Sequence, residues 1–117
     1  MPNTNRPTIS THVLDTTRGE PAEGVEVTVS LLHHKQEVAQ GTRQTNKDGR
    51  IGDAMDGPLA AGTYRISFDV GAYYKKKGNG APFMQRFTIE FEITDARRSY
   101  HIPLLMSPFS CSSYRGS

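Results

Sequence analysis

Short runs in which apolar and polar residues alternate recur along most of the chain. The clearest run covers residues 25–31, where three valines and a leucine at the odd positions are separated by Glu26, Thr28 and Ser30. Residues 87–94 repeat the pattern, with Phe or Ile at the odd positions and Thr or Glu at the even ones. An alternation of period two directs apolar side chains to one face of a strand and polar ones to the other. The pattern therefore predicts strands with one buried face and one solvated face.

Turns rich in glycine, proline, asparagine and aspartate separate these runs. Residues 46–49, Asn-Lys-Asp-Gly, are typical of a tight turn because Asn, Asp and Gly tolerate a positive φ. Residues 71–77 are the only segment with the pattern of a helix. The remaining runs predict strands over residues 9–15, 25–31, 37–45, 64–70, 87–94 and 110–114, with short strands after Arg50 and around His101. Many short strands with one helix indicate an all-β fold, an antiparallel β-sandwich.

Length and composition indicate one domain outside the membrane. A chain of 117 residues is long enough to bury a core without the help of a metal or disulfides. We expect a flexible N-terminus over residues 1–7 and a single domain over residues 8–117. Hydrophobic residues make up 35% of the chain, and no apolar stretch approaches the length of a membrane span, which is about 20 residues.

The charge balance gives no reason to expect a nucleic-acid partner. Lys and Arg total 14 against 12 for Asp and Glu, so the formal net charge is +2. The dense basic run Lys75–Lys77 has no aromatic ladder beside it and is typical of a solvated face. We therefore expect neither nucleic acid nor a membrane as a partner.

Cysteine usage indicates a reduced compartment. The single cysteine, Cys111, excludes an intrachain disulfide and a multi-thiolate metal site, and it favours a cytoplasmic location. Its sequence context is that of a small buried side chain rather than a nucleophile. The first residues lack the charged head and apolar core of a secretory signal, although a signal removed earlier would leave no trace.

Two histidines interrupt predicted strands near opposite ends of the chain. His12 shares a strand face with Ser10 and Leu14, and His101 lies in a similar run. Each histidine taken alone is typical of a hydrogen-bonded structural residue. Imidazole also takes and returns protons near neutral pH. The two can form one site only if the first and last strands meet in space.

Histidine positions argue against a metal. His33 and His34 are adjacent, so regular strand geometry would point them to opposite faces. Zinc held by His12 and His101 would need a third ligand that the sequence does not single out. We expect no metal and no cofactor.

Four parts of the chain together resemble the 5-hydroxyisourate hydrolases of the transthyretin-like family. They are residues 10–15 (Ser-Thr-His-Val-Leu-Asp), 45–50 (Thr-Asn-Lys-Asp-Gly-Arg), 100–105 (Tyr-His-Ile-Pro-Leu-Leu), and 107–109 (Ser-Pro-Phe) with 114–117 (Tyr-Arg-Gly-Ser). The match covers nearly the whole chain in order. The terminal Tyr-Arg-Gly-Ser is its most specific element, because in this family it separates the hydrolases from the hormone carrier transthyretin.

The resemblance implies a fold, an assembly and an activity. Members of the family form two four-stranded sheets with one short helix, and they assemble into a homotetramer that is a dimer of dimers. The implied substrate is the small molecule 5-hydroxyisourate, a product of urate oxidation. Water opens its cyclic amide to give 2-oxo-4-hydroxy-4-carboxy-5-ureidoimidazoline.

The resemblance also implies the residues of the site. It places His12 and His101 as the proton-handling pair. It assigns Arg50 to orienting the substrate and stabilising an oxyanion, where position alone indicates a surface charge beside a turn. Tyr114 and Ser117 would bind and orient substrate, and Ser117 would also serve the catalytic step, although a chain terminus taken alone is typical of a frayed end.

Two other classes of function stay open at the level of sequence. One is a transthyretin-like carrier of small molecules without catalysis, although polar histidines and a polar tail suit a hydrophobic carrier poorly. The other is an interaction domain built on a common sandwich. An acyl-enzyme mechanism is disfavoured because nothing in the chain resembles a nucleophile elbow.

Overall fold

A computed structural model of the protein describes residues 6–116. Within that range one helix and ten strands follow one another. They are β1 (Ile9–Asp15), β2 (Glu20–Pro21), β3 (Glu26–His33), β4 (Gln36–Gln44), β5 (Arg50–Ile51), β6 (Gly62–Phe68), α1 (Val70–Lys76), β7 (Phe87–Ile93), β8 (Tyr100–His101), β9 (Leu104–Met106) and β10 (Cys111–Ser113).

The strands form two sheets that pack face to face. The β3 sheet has four strands in the order β4-β3-β6-β7, and every pair is antiparallel. The β1 sheet follows the path β10-β9-β1-β2, and β5 and β8 also pair with β1. The predicted sandwich of two sheets with one short helix is confirmed, but the β1 sheet contains six strands rather than four, because β5 and β8 also pair with β1. A feature that the sequence did not indicate is that β8 and β9 run parallel to β1.

The core consists of the apolar faces of the two sheets. Along β1, buried and half-buried residues alternate strictly, as the sequence pattern predicts. Val27 and Val29 of β3 and Ile66 of β6 are fully buried, and they face Val13 and other inward residues of β1. Because successive strand residues point to opposite faces, the same alternation leaves Ser10, His12 and Leu14 on the outer face of the β1 sheet.

Helix α1 is tied to β1 through a buried carboxylate. Asp15 at the end of β1 is 0% exposed, and it accepts hydrogen bonds from the hydroxyls of Tyr74 (2.8 Å) and Tyr73 (2.9 Å). The guanidinium of Arg18 lies 3.1 Å from the same carboxylate. Burial alone would raise the pKa of Asp15, but the hydrogen bonds from these three residues outweigh it and lower the pKa. The charge is therefore retained inside the fold.

The element boundaries differ from the sequence predictions at identifiable residues. The strand predicted over 64–70 ends at Phe68, because Asp69 caps α1 by accepting a hydrogen bond from the backbone N–H of Ala72 at 3.1 Å. Pro103 lies between β8 and β9, which the sequence predicted as one strand. The guanidinium of Arg6 donates a hydrogen bond to Asp53 at 2.9 Å. Residues 1–5 lie outside the described range, so the division into a flexible N-terminus and a domain that begins at residue 8 stays a prediction.

Strand β1 pairs with other segments on both of its sides, and this pairing sets which residues lie beside one another on the outer face of the sheet. The carbonyl of Ile9 accepts from the backbone N–H of Ala54, on the β5 side, at 2.9 Å. The carbonyl of Ser10 accepts from the backbone N–H of Ile102, on the β8 side, also at 2.9 Å. Residues from the middle and from the end of the chain therefore meet across β1.

Candidate active site

The predicted site residues meet on the outer face of the β1 sheet. Cα positions pair His12 with Arg50 of β5 and Ser10 with His101 of β8. Paired residues on neighbouring strands share a face, so the side chains of Ser10, His12, Arg50 and His101 project from the same side of the sheet. The structure thus brings together the two histidines and the arginine that the sequence singled out.

A tight turn delivers Arg50 to this face. The side-chain oxygen of Asn46 accepts hydrogen bonds from the backbone N–H groups of Asp48 (2.9 Å) and Arg50 (3.0 Å). Gly49 has φ +75°, and a Cβ there would lie 2.5 Å from the carbonyl oxygen of Val13. Only glycine allows the turn to approach β1 this closely. The exposed guanidinium of Arg50 has no hydrogen bond or ion pair to any other residue in 6–116, so it can receive a ligand.

His101 is half-buried and bonded to Ser10. The Nδ1 atom of His101 lies 2.9 Å from the hydroxyl oxygen of Ser10. Burial lowers the pKa of His101, and the positive charge of Arg50 and the proximity of His12 lower it further. The lowered pKa favours the neutral form of the imidazole. These electrostatic effects also reflect how closely the three groups approach one another.

The chain terminus runs along the outer side of β8. The backbone N–H of Gly116 donates to the carbonyl oxygen of His101 at 2.7 Å. A Cβ on Gly116 would lie 2.6 Å from Cδ2 of His101, so only glycine fits against this ring. The guanidinium of Arg115 lies 5.0 Å from the ring centre of Tyr100, and Tyr114 is 61% exposed. The segment 114–116 is therefore anchored beside His101.

Two site features were missed by sequence reasoning, and one prediction falls outside the structure. The contact of Ser10 with His101 was missed, although its spacing of two residues from His12 placed it on the same face. The packing of Gly116 on the ring was also missed, since a glycine carries no chemistry that would single it out. Ser117, predicted to line the site, lies outside the described residues.

An apolar surface continues the site along the same face. Leu14 of β1 pairs with Leu105 of β9, which is 38% exposed. Phe109, in the turn between β9 and β10, is 75% exposed. Polar groups that transfer protons and bind anions therefore lie next to an apolar surface that can exclude water from a bound ring.

The part of the chain that the structure describes contains neither a metal-binding cluster nor a membrane-spanning helix. Among residues 6–116, no group of three or more His, Cys, Asp and Glu side chains is placed to hold a metal ion. His33 and His34 contact each other edge to face with ring centres 4.2 Å apart, near the β3–β4 turn. In the same range, no helix has the length and apolar character needed to cross a bilayer.

The chemistry available at this face is proton transfer and anion binding. Two imidazoles and a guanidinium lie on neighbouring strands, and a hydroxyl holds one of the imidazoles. Such groups can activate water, orient a planar polar ring and stabilise negative charge on an oxygen. The side chain of Cys111 is on β10, and burial raises the pKa of its thiol, which favours the unreactive protonated form.

Known proteins share both the sequence and the fold. A uric acid degradation bifunctional protein of Arabidopsis thaliana is 42% identical over 99% of this chain, which spans only 39% of that protein's length. The 5-hydroxyisourate hydrolase 2 of Rhizobium meliloti is 40% identical, with 93% of this chain and 95% of its own length aligned. The solved structure of Klebsiella pneumoniae 5-hydroxyisourate hydrolase has a TM-score of 0.83 at 36% identity, covering 95% of this chain and 99% of its own.

The family assignment rests on sequence as well as on fold. The model of the HIUase/Transthyretin family matches residues 9–116, a range that contains both histidines, the arginine and most of the terminal motif. The resemblance seen in the sequence segments is confirmed. This chain belongs to the HIUase/Transthyretin family.

Proposed function

We propose that this protein is a hydrolase that opens the cyclic amide of 5-hydroxyisourate, giving 2-oxo-4-hydroxy-4-carboxy-5-ureidoimidazoline in urate breakdown. Relatives with this activity in their names align over nearly the full chain. The observation that carries the proposal is the meeting of His12, Arg50 and His101 on one face of β1. A carrier has no need of two imidazoles and a cation at this place.

The proposed reaction is direct attack of water on the ring carbonyl. The two imidazoles of His12 and His101 supply proton transfer and hydrogen bonding to the reacting groups. The permanent positive charge of Arg50 orients the oxygen-rich ring and stabilises the oxyanion that forms as water adds. Its lack of an intramolecular partner among residues 6–116 supports this role.

We assign Tyr114 and Ser117 to binding and orienting the substrate, with Ser117 also assisting the catalytic step. The support is the anchoring of Gly116 against His101, since the next residue in the chain is Ser117. The hydroxyl of Ser117 would then hydrogen-bond substrate, water or an imidazole. A C-terminal affinity tag should interfere with this arrangement, whereas an N-terminal tag should not.

The proposal includes a homotetramer and a cytoplasmic location. Exposed Leu105, Phe109 and Tyr114 suit a face that another copy of the chain covers. Strands β7 and β10 are edges of the two sheets, and further strand pairing would remove these open edges. Light scattering at micromolar concentration tests the tetramer. The single cysteine supports a reducing compartment.

The decisive experiment measures decay of the proposed substrate. 5-Hydroxyisourate is generated from urate immediately before use, and its ultraviolet absorbance is followed with and without the protein. We expect decay well above the spontaneous rate. A His12→Asn, His101→Asn double variant of unchanged far-ultraviolet spectrum is the matched control. Decay at the spontaneous rate with wild-type protein would reject the hydrolase and leave the carrier and the interaction domain.

A further inference from the structure

The hydroxyl of Ser10 is the hydrogen-bond partner of a site imidazole. Its oxygen lies 2.9 Å from Nδ1 of His101, and the two residues are a Cα pair of the β1–β8 ladder. Both side chains are half-buried on the outer face of the sheet. Backbone hydrogen bonds from Ala54 to Ile9 and from Ile102 to Ser10 hold β1 on both sides and restrict where the hydroxyl of Ser10 can point. The contact is thus a consequence of sheet register.

The ring of His101 has a defined orientation because two of its sides are in contact. Nδ1 faces Ser10, and the Cδ2 side lies against Gly116, where even a Cβ would approach to 2.6 Å. The edge that carries Nε2 is the part of the ring directed away from both contacts. An imidazole held at one nitrogen presents the other to a ligand.

In a neutral ring, the direction of the hydrogen bond between Ser10 and Nδ1 of His101 decides which nitrogen carries the proton. Burial and the neighbouring Arg50 and His12 lower the pKa of His101 and so favour its neutral form. Among residues 6–116, Nδ1 of His101 is the only acceptor within hydrogen-bond distance of the Ser10 hydroxyl. A serine that donates to Nδ1 requires the proton of the neutral ring to be on Nε2.

We propose that Ser10 is a positioning residue that holds His101 as its Nε2–H tautomer, so that His101 donates a hydrogen bond to the substrate carbonyl oxygen and His12 moves the proton. This inference rests on the proposed hydrolase. His12 takes a proton from water as the water oxygen bonds to the carbonyl carbon. It returns that proton to the ring nitrogen as the C–N bond breaks. His101 keeps its proton throughout, as a neutral imidazole that stabilises developing negative charge.

A competing role for Ser10 is that of a nucleophile, since a serine beside a histidine is the arrangement of an acyl-enzyme. The geometry favours positioning. Ser10 lies within a regular strand rather than on a sharp turn, and no carboxylate among residues 6–116 bonds to the imidazole of His101. The two roles predict very different effects of removing the hydroxyl.

The first part of the test is spectroscopic and needs no turnover. Protein with 15N-labelled histidine is compared as wild type and as Ser10→Ala, with the His101 signals assigned through a His101→Asn variant. We expect wild type to carry the proton on Nε2 and Ser10→Ala to show a mixture of tautomers. A proton on Nδ1 in wild type, or no change in Ser10→Ala, would overturn the proposal whether or not the protein hydrolyses 5-hydroxyisourate.

The second part is kinetic. Loss of one hydrogen bond that orients a donor should lower kcat by about three- to tenfold with little change in KM. Ser10→Thr keeps the hydroxyl on a side chain suited to strands and should restore kcat. Ser112→Ala on β10 of the same sheet is the matched control and should match wild type. Unchanged kcat in Ser10→Ala, or a loss of about 10⁴-fold or more as for a nucleophile, would reject the positioning role.

Discussion

Replacing Gly116 with alanine is the most direct test of whether the chain terminus shapes the site. The added Cβ would lie 2.6 Å from Cδ2 of His101, 3.1 Å from its carbonyl oxygen and 3.2 Å from its Cβ. These contacts are too close to persist, so either the terminus or the imidazole must move. Displacing the ring also costs its hydrogen bond to Ser10, so we expect the terminus to move instead.

The expected magnitudes differ for stability and for activity. Moving the terminus gives up the hydrogen bond from Gly116 to His101, which contributes about 0.5–1.5 kcal/mol. The free energy of unfolding should therefore fall by only about 1 kcal/mol. Misplacement of groups at a site by about 1 Å can cost roughly 10²-fold in rate. We expect kcat/KM for 5-hydroxyisourate to fall by about that factor.

The assay combines urea unfolding with initial rates of absorbance decay. Gly57→Ala is the control, because a Cβ at Gly57 meets no atom within 4 Å and its φ is not positive. It should leave both stability and kcat/KM unchanged. Wild-type kcat/KM in Gly116→Ala would refute the reasoning, since it would mean that the position of the terminus is irrelevant to the reaction.

Further predictions concern the histidines, the arginine, the buried carboxylate and the terminus. His12→Asn should lower kcat by roughly 10²–10⁴-fold with an unchanged far-ultraviolet spectrum, and near wild-type turnover would remove it from the mechanism. Arg50→Gln should lower kcat/KM by about 10²–10³-fold. It should also raise the pKa of His101, measured by NMR titration, because a nearby positive charge is removed. An unchanged pKa would mean that the two groups do not interact. Tyr73→Phe should reduce unfolding free energy by about 1.5–3 kcal/mol at pH 7. The pKa of Asp15 is lowered in the folded protein, so the stability that its charge contributes is complete above the unfolded pKa of 3.8 and is lost as pH falls through the folded pKa. The loss of unfolding free energy in Tyr73→Phe, measured by urea unfolding, should therefore be smaller near pH 3 than at pH 7. An equal loss at both pH values would contradict this. A C-terminal tag should abolish most activity, and equal activity with the tag at either end would show that the terminus is structural.

The sequence by itself determined the fold class and the family. Period-two alternation specifies which side chains are buried in a strand, and turn residues such as those at 46–49 specify where strands end. Both are local properties, so β1, β3 and β7 are found close to where the pattern predicts them. The segments that resemble the family are likewise recognised from residue types at given positions, without knowledge of the tertiary structure.

Several element boundaries depended on contacts that the local pattern does not contain. Strand β2, Glu20–Pro21, forms because its residues pair with the end of β1. The sequence pattern of this segment predicts only a loop. Helix α1 begins where Asp69 caps it, so the apolar alternation over 64–70 continues past the end of the strand. The parallel pairing of β8 and β9 with β1 joins segments about 90 residues apart, and no local pattern specifies it.

For the site, too, some features follow from the sequence and others only from the tertiary structure. The sequence identified His12, Arg50 and His101 by type and position, but the register of three strands decides that they share one face. Only the tertiary structure places the Ser10 hydroxyl at Nδ1 of His101, across 91 positions of sequence, and Gly116 against the same ring. Strand faces follow from local alternation, whereas register and close approach follow from how distant segments pack, and it is packing that determines which nitrogen of an imidazole can face a substrate.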